Sequence, residues 1–236
     1  LNLPLSIMEA ANLIIDIGNT ALKAAWADGM TLGKTFRYQG ERMLDFILSL
    51  TEKTKPNVMI LSSVRTFSKQ AVEKLRNECT RLIIIDENIL ERYDVPSYLS
   101  PDRAASIIAS RYLFKKRGCT IFDLGTTLTV DFLDPEGRYE GGNVSLGCRT
   151  RFKALNRYAK PLPLLGAAED ISQKGTDIAS SITSGVISGI MFEIEGYVSQ
   201  HPENIAVFTG GDAIYFAKRM KNSIFVVCNL VLMGLA

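Results

Sequence analysis

The sequence predicts an α/β protein assembled from two halves of one plan, and three observations carry that expectation. Short apolar runs of strand length are interleaved with segments of helical periodicity. The order strand, strand, strand, helix, strand, helix runs through the first half and largely repeats in the second. Each half also carries the same word: Ile15-Asp16-Ile17-Gly18-Asn19-Thr20-Ala21-Leu22 in the first, Phe122-Asp123-Leu124-Gly125-Thr126-Thr127-Leu128-Thr129 in the second. A word that recurs once per half, in the same slot, points to duplication.

The elements follow in order. In the first half, strands are predicted over 12–16, 21–27 and 31–38, with turns at Gly18-Asn19 and Asp28-Gly29. Met43, Leu44, Ile47, Leu48 and Leu50 recur at helical spacing and predict a helix over 41–50. A buried strand over 58–64, an amphipathic helix over 68–79 and a short strand over 82–85 complete this half. In the second, strands are expected over 120–123 and 128–133, then the turn Asp134-Pro135-Glu136-Gly137 and a strand over 138–144. A helix over 151–158, a strand over 205–208 and a helix over 213–220 follow. Between them, 177–199 is long, apolar and rich in small residues, and reads as an inserted helix buried against something, a partner subunit among the candidates. The expected division is 1–117 and 118–236.

Composition narrows the function classes. Hydrophobic residues make up 47% of the 236-residue chain and charged residues 22%, enough apolar material for a core. Lys and Arg total 27 against 25 Asp and Glu, a net charge of +2. That balance gives no reason to expect nucleic acid or a membrane surface as partner. The 4 cysteines are scattered and form no paired motif, so neither a disulfide framework nor a zinc site is expected. His201 is the sole histidine and stands beside Pro202, which leaves histidine-dependent triads and metal sites nearly excluded. No apolar run approaches the roughly 20 residues of a membrane span, and the cytoplasm is the default compartment. The opening LNLPLSIM has no secretory pattern and reads as an extension ahead of a start at Met8, while the abrupt end at Leu235-Ala236 leaves room for a longer chain.

The two shared words have the composition of phosphate loops. Glycine lets a backbone turn tightly and bring its N–H groups against phosphate oxygens, threonine adds a hydroxyl, and Asp offers a carboxylate to Mg2+. Ordinary hairpin turns use the same residues; the matched positions in both halves favour the phosphate reading. Two such hairpins facing each other across a cleft would clamp a nucleotide. Phe208-Thr209-Gly210-Gly211-Asp212 sits between a strand and a helix, where a diglycine permits close approach of adenine or ribose or simply makes the turn. Ser100-Pro101-Asp102-Arg103 opens a helix by ordinary capping chemistry. The same residues suit a general base, Asp102, beside an anion-holding Arg103.

In this order the motifs resemble the type III pantothenate kinases of the acetate and sugar kinase/Hsp70/actin superfamily. Asp16-Ile17-Gly18-Asn19-Thr20 with Lys23 looks like the first phosphate motif, and Asp123 to Asp131 like the second. Asp102-Arg103 falls where the family carries its catalytic motif, and Tyr93 where it carries a tyrosine that touches pantothenate. Gly141 to Gly147 resembles the diglycine loop; Thr209-Gly210-Gly211 and Asn229 to Leu235 resemble the closing motifs. Some residues depart from the pattern. Ser100 replaces a glycine, Ala104 stands where tryptophan is common, Leu146 replaces a proline, and Ile178 occupies the place of a threonine that reaches the neighbouring subunit's substrate. Thr176 lies nearby, two positions away, and would not point the same way on a helix.

The resemblance implies a duplicated actin-like, ribonuclease H-like ATPase fold with the nucleotide cleft between the halves. It implies an ATP-dependent kinase that phosphorylates pantothenate and opens coenzyme A synthesis. Asp102 would act as base; Tyr93, Ser100, Arg103 and the region of Thr176 and Ile178 would hold pantothenate. Asp16, Gly18, Asn19, Thr20, Lys23, Gly125, Thr126, Thr127, Gly210 and Gly211 would contact ATP. Asp16 would hold Mg2+ through water, and Asp123 with Thr126 would lie near a monovalent cation, K+ or NH4+. A homodimer joined at the inserted helix is implied as well. Two other readings remain beside this one: a related small-molecule kinase of the superfamily, and a nucleotide-binding accessory factor for transcription.

Overall fold

A computed structural model describes residues 11–236. The expected extension ahead of Met8 lies outside the described residues. The first run of elements is β1 (Asn12–Ile17), β2 (Leu22–Asp28), β3 (Thr31–Tyr38), α1 (Met43–Thr51), β4 (Val58–Ser63), α2 (Lys69–Arg76), β5 (Arg81–Ile84), α3 (Glu87–Arg92) and α4 (Pro101–Leu113). The second is β6 (Cys119–Leu124), β7 (Thr127–Leu133), β8 (Tyr139–Leu146), α5 (Cys148–Tyr158), α6 (Ile178–Gln200), β9 (Ile205–Thr209), α7 (Ala213–Ala217), β10 (Ile224–Val226) and α8 (Leu230–Leu235).

The chain forms two compact units, one joining the residues up to Tyr112 with Leu230–Ala236, the other Leu113–Asn229. Each is built on a sheet of the same order: β3-β2-β1-β4-β5 in the first and β8-β7-β6-β9-β10 in the second. In both, the first three strands form an antiparallel meander, and the last two run parallel to the first. The duplication glimpsed in two short words therefore extends to the whole topology.

The first sheet is buried on both faces, which is why β1 reads as a near-continuous apolar run. Leu13, Ile15 and Ile17 pack with Met43 and Ile47 of α1 and Leu75 of α2. Ile14, on the opposite face, packs with Ala105 of α4 and with Val231, Leu232 and Leu235 of α8. Residues 230–235 fall within the expected division 118–236, and the apolar face of α8 packs in the core of the first unit. Gly234 makes this contact possible, since a Cβ there would overlap the Ala105 backbone.

In the second unit Phe122, Leu124, Leu128 and Val130 meet Phe152 of α5, Ile187, Ile190 and Ile194 of α6, and Phe216 of α7. The inserted helix is present, and one of its faces is buried in its own unit. The strand expected over 138–144 is β8, which takes in most of the run Gly141 to Gly147 that resembles a diglycine loop and carries a register shift opposite Phe132 and Leu133. The elements α3, β10 and α8 were not expected from sequence. Among the described residues, no helix is long and apolar enough to cross a membrane.

Candidate active site

Asp16 is the one polar residue in the second turn of alternation along β1, and it shares the sheet face of Ile14, the face on which α4 and α8 pack. It stands directly opposite Lys23 on β2 and Ser62 on β4. The Ser62 hydroxyl donates to Asp16 Oδ1 at 2.9 Å, and both residues are buried. The loop that follows, Gly18 to Ala21, is closed by the Gly18 N–H to the Ala21 carbonyl at 3.1 Å. Arg65, just beyond β4, donates to the Asn19 carbonyl at 2.7 Å and pins the loop from the side. Asn19 and Thr20 are exposed at its tip.

The N-terminus of α4 belongs to the same unit. The Ser100 carbonyl accepts the first helical bond, from Ala104 N–H at 3.0 Å, so Ser100 takes the capping position of α4. Asp102 lies in the first turn, where a carboxylate is favoured by the helix dipole, and its Oδ1 accepts the Arg103 N–H at 3.0 Å. Ala104 is fully buried, so the packing accepts a small residue there rather than a tryptophan. Tyr93 closes α3 with its side chain 56% exposed, and its carbonyl accepts from Nη1 of Arg111 on α4 at 2.6 Å.

The second hairpin repeats the geometry with different side chains. Asp123 stands opposite Thr129 on β7 and Thr209 on β9. The Thr129 hydroxyl is buried and makes no hydrogen bond among the described residues. The Gly125 N–H reaches the Thr127 carbonyl at 3.0 Å, while the Thr126 carbonyl accepts both the Gly147 N–H at 3.1 Å and the Thr150 hydroxyl at 2.6 Å. Gly210, with φ of 92°, lies against the Asp123 carboxylate and the Leu124 carbonyl, where any side chain would collide. The next N–H but one, that of Asp212, donates to the Leu124 carbonyl at 2.9 Å. Gly125, Thr126, Thr127, Gly210 and Gly211 are thus gathered around the ends of β6 and β9. Asp212 is half buried, and that burial pushes its carboxyl pKa upward. Burial likewise raises the Cys148 thiol to about 11, with Asp212 nearby adding to the effect, so this cysteine stays protonated at neutral pH.

Thr176 and Ile178 lie at the entrance of α6, also in the second unit. Asp177 caps the helix by accepting the Ser180 N–H at 2.9 Å, and Ser180 returns its hydroxyl to the backbone N–H of Thr176 and Asp177. Thr176 therefore precedes the helix instead of lying on it, and helical spacing does not relate its direction to that of Ile178. Ile178 is the first helical residue and 61% exposed. It borders a groove of ≈ 830 Å³ with Leu146, Leu155, Tyr158, Leu162 and Ile182. Beside it, Glu193 of α6 binds Arg151 of α5 and accepts the Ser145 hydroxyl of β8 at 2.6 Å, tying the three elements together.

Sequence reading missed Ser62, Arg65, Arg111, Thr129 and Thr150. The only available signal was the pair Ser62-Ser63 interrupting an otherwise apolar strand.

The profile of the type III pantothenate kinases matches residues 12–200. The chain belongs to the type III pantothenate kinase family. A family member from Azobacteroides pseudotrichonymphae is 35% identical over 230 residues, covering 94% of each chain. One from Cytophaga hutchinsonii is 37% identical over 236 residues, covering 95% of this chain and 96% of its own. Among solved structures, a Baf family transcriptional activator from Campylobacter jejuni superposes with a TM-score of 0.64 at 20% identity, covering 94% of both chains. Component A of the Acidaminococcus fermentans (R)-2-hydroxyglutaryl-CoA dehydratase gives 0.58 at 13%, covering 96% of both. The ROK hexokinase of Thermus thermophilus gives 0.51 at 13%, covering 96% and 97%. At these identities the structures speak for the fold, which is the duplicated actin-like ATPase and sugar kinase fold.

Proposed function

We propose that the protein transfers the γ-phosphoryl group of ATP to the hydroxyl of pantothenate, the first step of coenzyme A synthesis. The observation that carries this reading is family membership over nearly the whole chain, together with two glycine hairpins in which an aspartate is the penultimate residue of the first strand. Asp102 takes the proton of the pantothenate hydroxyl as its oxygen attacks the γ-phosphorus; the new O–P bond forms while the bond to the β-phosphate oxygen breaks, and ADP leaves. Phosphoryl transfer asks the protein mainly for positioning and charge stabilisation. Gly18, Asn19, Thr20 and Lys23 hold phosphate oxygens at the first hairpin, and Gly125, Thr126 and Thr127 at the second. Gly210 and Gly211 let the adenosine approach the backbone. Tyr93, Ser100 and Arg103 place pantothenate.

Asp16 suits Mg2+ carried in with the nucleotide. It is a single buried carboxylate oriented by a serine, and among the described residues no cluster of three His, Cys, Asp or Glu side chains forms a ready-made cage. When bound, Mg2+ neutralises charge that develops on the phosphates. The buried Thr129 hydroxyl left without a partner, beside Asp123 and near Thr126, suits a monovalent cation such as K+ or NH4+. The exposed apolar residues Val144, Leu146, Tyr158, Ile178 and Phe192 on β8, α5 and α6 support a homodimer in which this face is covered and Thr176 and Ile178 lie near substrate. A cytoplasmic location fits the reaction.

The test is ATP-dependent phosphorylation of pantothenate with Mg2+ present and either potassium or sodium as the only monovalent salt. Potassium-dependent turnover is expected. No turnover in either salt, with ATP still bound, would overturn the assignment of substrate.

A further inference from the structure

The connection between α3 and α4 holds a residue in an uncommon backbone conformation. Asp94, directly after Tyr93, has φ of 53°, a left-handed geometry that side-chain-bearing residues seldom adopt. It closes α3 as a left-handed helix cap, with the Asp94 N–H on the Glu91 carbonyl and the Val95 N–H on the Leu90 carbonyl, both at 3.1 Å. Arg111 braces this cap from α4. Its Nη1 donates to the Tyr93 carbonyl at 2.6 Å and its Nη2 to the Asp94 carbonyl at 2.9 Å. A planar guanidinium matches two neighbouring carbonyls as an ammonium cannot, and its charge sits at the negative end of α3. The fork holds the backbone on either side of the Asp94 Cα, directly after Tyr93, while the Tyr93 ring remains exposed to solvent.

We propose that Arg111 is a positioning residue for the acceptor substrate, locking the Tyr93 turn onto the helix whose first turn carries Asp102 and Arg103. This rests on the reading that Tyr93 contacts pantothenate. One rigid helix, Pro101–Leu113, then carries the base at its start and the anchor of the substrate tyrosine near its end. The distance between the proton acceptor and the substrate contact is set by helix geometry and not by loop motion.

Arg111→Lys keeps the charge and removes the fork. The expected result is a rise in KM for pantothenate of about tenfold, the worth of a hydrogen bond to a charged group. Pantothenate affinity measured by calorimetry falls in parallel, while kcat and the KM for ATP stay within about twofold. Arg111→Ala moves the same quantities further in the same direction. An unchanged KM for pantothenate in Arg111→Lys overturns the proposal. A comparable loss of ATP binding also overturns it, because it marks a merely structural role. Tyr93→Ala separates the premise from the inference. If it leaves pantothenate binding intact, the reading of Tyr93 falls; if it weakens binding while Arg111→Lys does not, the role of Arg111 alone falls.

Discussion

The two hairpins occupy the same position in sheets of the same order, yet they are built for different loads. At the first, Asp16 faces a lysine across one strand and is hydrogen-bonded to a serine across the other, and Arg65 braces the loop. At the second, Asp123 stands in register with Thr129 and Thr209, and the loop is braced by the Gly147 N–H and the Thr150 hydroxyl. The first therefore concentrates charge, and suits a divalent cation with its phosphates. The second offers neutral oxygens and backbone donors around one carboxylate, and suits the body of the nucleotide and a weakly charged cation. The two sheets share one order, and the residues in register with each aspartate differ.

The largest effect should come from the unit that carries the charge-rich hairpin. Asp102→Asn is expected to lower kcat on the order of a thousandfold, the worth of a general base, while ATP binding followed by calorimetry stays close to wild type. Comparable turnover in that variant would remove Asp102 from its role.

A sharper probe of the contrast is the pair Ser62→Ala and Thr209→Val, since each removes the hydroxyl beside one of the two aspartates. Ser62→Ala should weaken divalent-cation binding about tenfold, read by titrating Mn2+ in the presence of ADP, because an unoriented ligand binds less well. Thr209→Val should instead shift the potassium requirement. Equal effects of the two variants on Mn2+ binding would erase the proposed division.

Smaller still is the brace of the second loop. Thr150→Ala withdraws the hydroxyl from the Thr126 carbonyl and should raise the KM for ATP about fivefold, the worth of one neutral hydrogen bond. The KM for pantothenate serves as the internal control and should not move.

The smallest expected change concerns the cap of α6. Hydrogen bonds from Ser180, first from its backbone N–H and then from its hydroxyl, hold the Asp177 carboxyl below its ordinary pKa. Because the folded pKa lies below the unfolded one, the cap contributes fully above the unfolded value and is lost as pH falls through the folded value. Melting curves run from neutral to acid pH should show this loss in the wild type. Asp177→Ala should melt a few degrees lower near neutrality and lack that component of the acid slope.

Much of this was legible in the residues. The strand words around Asp16 and Asp123 announced themselves because apolar alternation and the glycine that ends it are local, and family motifs in the right order named the chemistry. The supporting residues were not legible. Ser62 lies 46 positions from Asp16 and Thr150 24 from Thr126, and nothing local distinguishes a bracing hydroxyl from any other. The strand over 138–144 was legible despite its glycines. Glycine weakens a strand in isolation, but here pairing with β7 holds it in the sheet.

What the sequence determined by itself, then, was the α/β class, the repeat, the positions of the two hairpins and the start of α4, all properties set by short-range periodicity, capping and turn chemistry. The tertiary structure alone decided that α8 completes the first unit, that Thr176 precedes its helix, and which side chains orient each aspartate. Those outcomes depend on cross-strand register and on which apolar faces find each other, and such long-range choices leave no local trace in the chain.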